Sequence, residues 1–596
     1  MAFIAMLLGP PAASPAPKVD QKAAAERKAA QSILKSLTLR DRVAQLVIGI
    51  SYGNVPSTKS PEFERFRHWI KDLHIGGLLV INHVQYGLVR YAEPHAMALF
   101  LNQMQRMSKV PLLMAGDFER GASMRVSDTT KFPFAMAYGA ARDLEETRYA
   151  GLATAREARA LGIQWVFAPD ADVNNNPANP VINIRSYGEN PNDVAAHVAA
   201  FIDGAHADPK NTVLLSAKHF PGHGDTDLDS HTDLPTLAAD GDRIRAVEMK
   251  PFEAAIAHGV DSVMTAHITA PSLDSANVPS TVSRKVLAGL LREELGFKGL
   301  IVTDAMNMAG MTKQFGGGEG AVRAIEAGAD VLLAPPDPDV VIRAVMRAVE
   351  KGRLSRQRID ESALRILEAK IHVGLTKNKL VDLDAISAAI DSQEEADHAQ
   401  DVSDRAVTVV RNENVRDEGV RNEGNAVPLA APDQACLVVS SGIRLSAFGQ
   451  KMAEELHKRA LHARTVFVDN LLPPVALDAV LGDPSMCSAI VFATFTTNPM
   501  LNGDLTPFVQ KLTEGPVPVV FVSLGNPYIV TPFPKVAAYL ATFNTATTGE
   551  IAAVKALFGE IPVTGKLPVT IPGFGQYGDG IQLPARPRTQ AYPTAN

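Results

Sequence analysis

Cysteine is almost absent: the 596 residues hold two, Cys436 and Cys487. That is too few for a disulfide framework. Both stand beside apolar runs, so two buried thiols are the expectation, ahead of a single bridge or a reactive thiol. Long apolar runs are missing too. Past the N-terminus nothing approaches the roughly 18 uninterrupted apolar residues of a membrane span, which leaves a soluble chain as the expectation. There is no basic excess: the net charge is −7, and without a basic stripe nucleic acid is not an expected partner. The first residues, MAFIAMLLGPPAASPAPK, are a short apolar run followed by small residues and prolines but lack the basic start of a leader. Residues 1–30 therefore read as a signal-peptide remnant or a disordered N-terminus. A periplasmic or extracellular location is expected, with a cytoplasmic one as the alternative.

The chain is too long for one hydrophobic core and suggests two or three domains. Across 31–375 a short apolar run, a loop and an amphipathic helical stretch alternate. Eight runs are legible: QLVIGI (45–50), IGGLLVI (75–81), PLLMAGDFE (111–119), WVFAPDADV (165–173), VLLSAKHF (213–220), SVMTAH (262–267), GLIVTDAM (299–306) and DVLLAP (330–335). Near-continuous apolar strands alternating with helices imply a parallel sheet covered on both faces, here an α/β (β/α)8 barrel, with an open doubly wound sheet as runner-up. What favours the barrel is the position of Asp117, Glu119, Asp170, Asp172, Lys218, His219, His267 and Asp304 at the C-terminal ends of their runs. Those ends meet at one mouth in a barrel. Residues 376–430 read as a linker helix and a charged loop. Five further strand candidates in 431–596 suggest a smaller parallel α/β sandwich.

KHFPGHGDTDLDSH (218–231) gathers three of the fifteen histidines. His219, His223, Asp225, Asp227, Asp229 and His231 are enough N and O donors for zinc. The spacing argues against it: His219 ends a strand and His223 follows a Pro-Gly turn, so the pair does not share one face of a helix. A turn-rich polar loop accounts for the glycines but not for the histidines. In an extended loop Asp229 and His231 project to the same side, where the carboxylate can hold the imidazole in one tautomer as a proton donor. Asp304, in IVTDAMNMAG, can be a nucleophile, a metal ligand or a structural acceptor.

Together DFERGASMR (117–125), IRSYG (184–188), KHFPGHGDTDLDSH, MTAHI (264–268) and VTDAMNMAG (302–310) resemble glycoside hydrolase family 3. The histidine loop looks like that of its β-N-acetylglucosaminidase branch. RAVTVVRNEN (405–414) and TGKLPVTIPG (564–573) are similar, less specifically, to the start and end of the family's second domain. The resemblance implies retaining exo-hydrolysis of β-linked N-acetylglucosamine from peptidoglycan fragments or chitin oligosaccharides, without metal or cofactor. It assigns Asp304 as nucleophile, His231 as acid/base and Asp229 as its dyad partner. Asp117, Arg125, Arg185, Lys218 and His219 would hold the sugar.

Three alternatives stay open. A histidine acid/base is neutral once deprotonated and repels an incoming anion less than a carboxylate does, so phosphorolysis is one. A glycan-binding protein without catalysis and a metal hydrolase are the others. The Thr303 and Ala305 neighbours of Asp304 lack the paired carboxylate of substrate-assisted hydrolysis. Arg120 stands where the family has glycine, Ala305 where relatives often carry a polar residue, and 411–425 looks inserted. His267 is either support for the site or packing; Met306 and Met308 read as core or wall. Oligomeric state is not legible.

Overall fold

The computed structural model describes residues 18–587 apart from 86–87, 416–420, 423–424, 443–445, 498–500 and 502. The apolar leader-like run and residues 416–420 and 423–424 of the insertion read at 411–425 thus lie outside the described residues. Residues 18–30, expected to be leader or disorder, instead open a helix, Lys18–Ser36. Its alanine-rich sequence favours that state. Ala30 packs with Leu367, and Arg27 pairs with Glu368 at 3.1 Å.

Each of the eight apolar runs contains a strand. These are β1 (Val47–Ser51), β2 (Gly77–Val80), β3 (Leu113–Gly116), β4 (Trp165–Val166), β5 (Leu214–Phe220), β6 (Ser262–Thr265), β7 (Leu300–Thr303) and β8 (Leu332–Leu333). All neighbours run parallel, in the order β8-β1-β2-β3-β4-β5-β6-β7. The ring closes by a bridge from Val302 to Val331 and a bond from Leu333 N to Thr303 Oγ1 at 3.0 Å. The strands are largely apolar because their inner faces fill the barrel and their outer faces carry helices, with polar residues such as Lys218 and His219 of β5 concentrated toward the C-terminal ends. Trp165 is wholly buried there, its indole N–H donating to Ser262 Oγ at 2.9 Å, so even the largest core side chain keeps its donor satisfied.

The second sheet comprises β9 (Thr408–Asn412), β10 (Cys436–Ser440), β11 (Arg464–Val468), β12 (Ile490–Thr496), β13 (Val519–Gly525) and β14 (Ala538–Ala541), ordered β9-β14-β13-β12-β10-β11. Alternate residues of β10 enter two apolar clusters, Val438 one and Leu437 the other, so both faces are covered. The sheet is mixed, which corrects the expected all-parallel one: β9 runs antiparallel to β14. That edge strand comes from the stretch read as linker, because a four-residue apolar run followed at once by charge looks like a loop.

Cys436 and Cys487 form a disulfide, with Cα atoms 5.6 Å apart. This overturns the expectation of two thiols. β10 and β12 are neighbours with Cys436 opposite Ile490, and this adjacency is invisible in a sequence separation of 51. Closing a loop of that length is worth about 4 kcal/mol in the chain-entropy account. Reduction should therefore lower the denaturant midpoint of the second domain, read by urea melts with and without dithiothreitol; coincident melts would remove the bridge from the stability account.

The helix Gln393–Ala406, capped by Ser392 and Glu395, joins the domains. Glu395 meets Arg156 at 2.7 Å and lies beside Glu157 on the barrel helix Leu144–Ala160. Burial, and then the Glu395 charge, push the Glu157 carboxyl up to about 7. A raised acid keeps its proton in the folded protein after the unfolded chain has lost its own. Stability is thus greatest below the ordinary glutamate value and falls as pH rises through 7. Glu157→Gln retains the Oε1 bonds from Thr130 N and Asp391 N, 3.0 and 3.1 Å. It should stabilise the protein by on the order of 3 kcal/mol at pH 8 and by little at pH 4. Equal shifts of the urea midpoint at both pH values would refute this.

Candidate active site

Five strand ends of the barrel bring ionisable side chains to one mouth. Beyond β3, Asp117 and Glu119 are two apart and project to the same side. Lys218, inside β5 and 2% exposed, lies 3.1 Å from Asp117 Oδ1 and 2.7 Å from Glu119 Oε1. Arg125 meets Asp117 Oδ2 at 2.8 Å and Asn82 Oδ1 at 3.0 Å. Arg185 grips Glu119 with two bonds of 2.9 and 2.8 Å, and its Nη2 approaches His219 Nε2 at 3.3 Å and Asp170 Oδ2 at 3.4 Å. Burial alone would raise Asp117, but Lys218 and Arg125 outweigh it and bring its carboxyl down to about 2. Burial likewise works against Glu119, and Arg185 and Lys218 hold it well below the usual range. These opposed charges keep one another ionised in a dry site and fix where each cation points.

The ends of β4 and β5 add a proton-sharing cluster. Burial and the Asp172 charge push Asp170 well above the usual range, and burial pushes Asp172 up to about 6. Asp172 accepts from His223 N at 2.6 Å and His219 N at 3.2 Å, and lies 2.8 Å from His219 Nδ1. Burial, then the Arg185 charge, bring His219 down to about 4. The neutral ring therefore donates from Nδ1 to Asp172 and accepts from Arg185 at Nε2. Asp170, Asp172 and His219 could present three donor atoms within 4.8 Å to a cation. Arg185 already occupies that side, and Asp172 is committed to the backbone and to His219, so the group does not fit a metal. His223 is also engaged, at 2.8 Å from Thr226 Oγ1 and 3.0 Å from Ser230 Oγ.

Asp304 follows β7, its N–H donating to Thr265 O at 3.2 Å and its Oδ1 accepting from Ala305 N at 2.7 Å. Burial works to raise this carboxyl. His219, His267, the Ala305 amide and His231 outweigh it, and Asp304 stays below the ordinary value. It is an ionised, half-buried carboxylate at the mouth, available to attack an electrophilic carbon. His267 Nε2 donates to Ala305 O at 3.1 Å while Nδ1 lies 2.8 Å from Thr281 Oγ1. It therefore steadies the backbone behind Asp304, and a packing role alone does not describe it.

His231 sits on the loop after β5. Its backbone N and its Nδ1 both lie 2.8 Å from Asp229 Oδ1, which leaves Nε2 to face outward. The ring is open, with 62% of the side chain exposed against 38% for Asp229. Two bonds tether the loop: Ser230 to His223 inside, and Lys313 Nζ to Thr232 O at 2.7 Å outside. Asp117, Arg125, Arg185, Lys218, His219, Asp304 and the Asp229–His231 pair gather at this mouth and its rim, whereas Asp225 turns away to Arg243 at 3.4 Å. Sequence reasoning placed Glu119 at the mouth but assigned it no role in the site, where it neutralises both Lys218 and Arg185; its signal was the two-residue spacing from Asp117. Nothing local marked Asn82 or Ser230. Arg120 stacks its guanidinium over Phe134 at 4.9 Å, and Met306 and Met308 are buried wall.

The model of the glycosyl hydrolase family 3 N-terminal domain matches residues 38–369. A β-N-acetylglucosaminidase/β-glucosidase of Cellulomonas fimi is 28% identical over 89% of this chain and 93% of its own. Beta-hexosaminidase A of Pseudoalteromonas piscicida is 29% identical over 78% of this chain and 84% of its own. Among solved structures, a family 3 β-N-acetylglucosaminidase from Paenibacillus sp. str. FPU-7 superposes with a TM-score of 0.79 at 31% identity, covering 91% of this chain and all of that one.

Proposed function

The chain belongs to glycosyl hydrolase family 3 and is a glycoside hydrolase, and from that premise we propose that it removes terminal β-linked N-acetylglucosamine from peptidoglycan fragments or chitin oligosaccharides with retention. The observation that carries the reading is an ionised carboxylate, Asp304, whose ionisation the imidazole of a hydrogen-bonded Asp229–His231 pair supports. In the first step Asp304 attacks the anomeric carbon as the glycosidic bond breaks, and His231 passes its proton to the departing oxygen. In the second, water adds to the same carbon, His231 takes a proton from it, and the bond to Asp304 breaks. Asp117, Arg125, Arg185, Lys218 and His219 bind the sugar's hydroxyls and acetamide. A substrate-assisted route is disfavoured, because it calls for a second carboxylate paired with the first and the neighbours of Asp304 are Thr303 and Ala305.

The disulfide favours an oxidising compartment outside the cytoplasm, and no described helix is long and apolar enough to cross a membrane. The test is product analysis on an aryl β-N-acetylglucosaminide, chitobiose and muropeptides, with and without phosphate. Release of N-acetylglucosamine unaffected by chelator is the expected result; no release from any N-acetylglucosaminide overturns the reading. Phosphorolysis is the second reading, carried by the acid/base being an imidazole, and a sugar 1-phosphate product would establish it.

A further inference from the structure

Arg185 lies on the segment 174–189, which holds one short 3₁₀ turn, Asn183–Arg185. A segment with so little regular hydrogen bonding owes its position to what it packs against, and much of that packing comes from the second domain. Ile184 and Arg185 are adjacent but serve opposite sides. While Arg185 grips Glu119, Ile184 is buried in the apolar cluster containing Tyr528, Ile529, Val530, Leu567 and Val569.

Two polar anchors flank that apolar seat. Asn174 is fully buried. Its Nδ2 donates to Tyr528 Oη at 3.0 Å, its Oδ1 accepts from Asn183 N at 3.0 Å, and its backbone N donates to Gly188 O at 2.9 Å. Asn174, its amide fixed by one hydroxyl, thus ties the start of the segment to the turn that carries Arg185 and to its end. At that end Glu189 N donates to Pro568 O at 3.0 Å, and the Glu189 carboxylate accepts from Thr570 N at 2.6 Å and Thr570 Oγ1 at 2.7 Å. Gly188 permits the approach, since a Cβ there would come within 2.5 Å of Pro568 O.

We propose that the second domain sets the position of Arg185 through Tyr528 and Thr570, which makes these two positioning residues of the barrel's sugar site. The consequence for activity rests on the reading of Arg185 as a sugar-binding residue. The geometric claim stands apart from it. Arg185 holds Glu119, Glu119 holds Lys218, and Lys218 holds Asp117, so a shift of the segment moves several groups that would contact the sugar. A displacement of about 1 Å in such a constellation is enough to cost up to about a hundredfold in rate.

Tyr528→Phe and Thr570→Val each remove one hydroxyl. In the full-length protein each should lower kcat/KM on an aryl β-N-acetylglucosaminide by about tenfold. In an Arg185→Lys background the same changes should cost no more than about twofold, because groups that act through one residue are not additive. Thr570→Ser should restore activity. Amide exchange across 174–189, which needs no substrate, should quicken in both variants. Equal kinetic losses in both backgrounds would make the effect a general one that bypasses Arg185 and would overturn the proposal, as would unchanged exchange. If Thr570→Val does not fold, Tyr528→Phe decides the matter alone. A wild-type protein that cleaves no N-acetylglucosaminide would remove the functional reading, and amide exchange would still judge the seat of Arg185.

Discussion

Asp304→Ala should abolish turnover, with kcat on chitobiose reduced by roughly four orders of magnitude or more, as for loss of a nucleophile in other covalent enzymes. The size of the loss follows from the surroundings. Burial penalises this carboxylate, and what offsets the penalty is a set of imidazoles and one amide at the barrel mouth. The residues on either side of Asp304 are Thr303 and Ala305, so no adjacent carboxylate stands ready to take its place. Because its surroundings hold Asp304 below the ordinary value, its charge is favoured in the fold, so the variant should melt somewhat lower than the wild type near neutral pH while remaining folded. Added azide sharpens the test. It can enter the vacated face and attack the anomeric carbon of an activated substrate, and a single displacement gives the α-glycosyl azide where two would give β. Residual activity within about tenfold of wild type, or a β azide product, would show that Asp304 is not the nucleophile.

How far the sequence discloses this arrangement depends on the range of the interactions. The eight barrel strands are legible because each is buried and predominantly apolar, and the polar residues at their C-terminal ends mark the mouth. Asp229 and His231 are legible because they are two apart in one loop, although the loop turns there instead of running extended: Thr232 N and Asp233 N donate to Asp229 O at 3.0 and 2.9 Å, and the turn itself brings the carboxylate to the imidazole. β9 is not, since an edge strand meets solvent and tolerates the charges of RNEN. Nor is the disulfide: Cys436 opens β10 and Cys487 lies just before β12, and only the crossover that makes those two strands neighbours brings them together. The anchors of Arg185 are the extreme case: Tyr528 is 354 residues from Asn174, and Thr570 is 381 from Glu189. A tyrosine and a threonine in a polar tail carry no local mark of a role in another domain. Glu119 lies between these cases, visible as a residue two from Asp117 but given its importance only by two cations arriving from distant strands.

His231→Ala should divide substrates by their leaving groups. A dinitrophenolate departs without a proton, so kcat/KM for that glycoside, which reports the first step, should fall by less than about tenfold, whereas kcat/KM for chitobiose, which releases an alkoxide, should fall about 10²- to 10⁴-fold. The fold bears little of this side chain's weight: its ring is open to solvent and its described bonds are to Asp229 alone, so the melting temperature should not move. The same ring would serve as base in the second step. With the dinitrophenyl substrate the variant should therefore form the glycosyl-enzyme readily and release it slowly, giving a burst of about one equivalent of phenolate. Azide needs no deprotonation, so it should raise the steady rate of this variant, here with a β-glycosyl azide as product because two displacements have occurred. Asp229→Asn should show the same pattern weakly, since it leaves the imidazole in place without its carboxylate. Losses equal on both substrates, with no burst, would mean that His231 binds sugar or shapes the loop and that another group carries the proton.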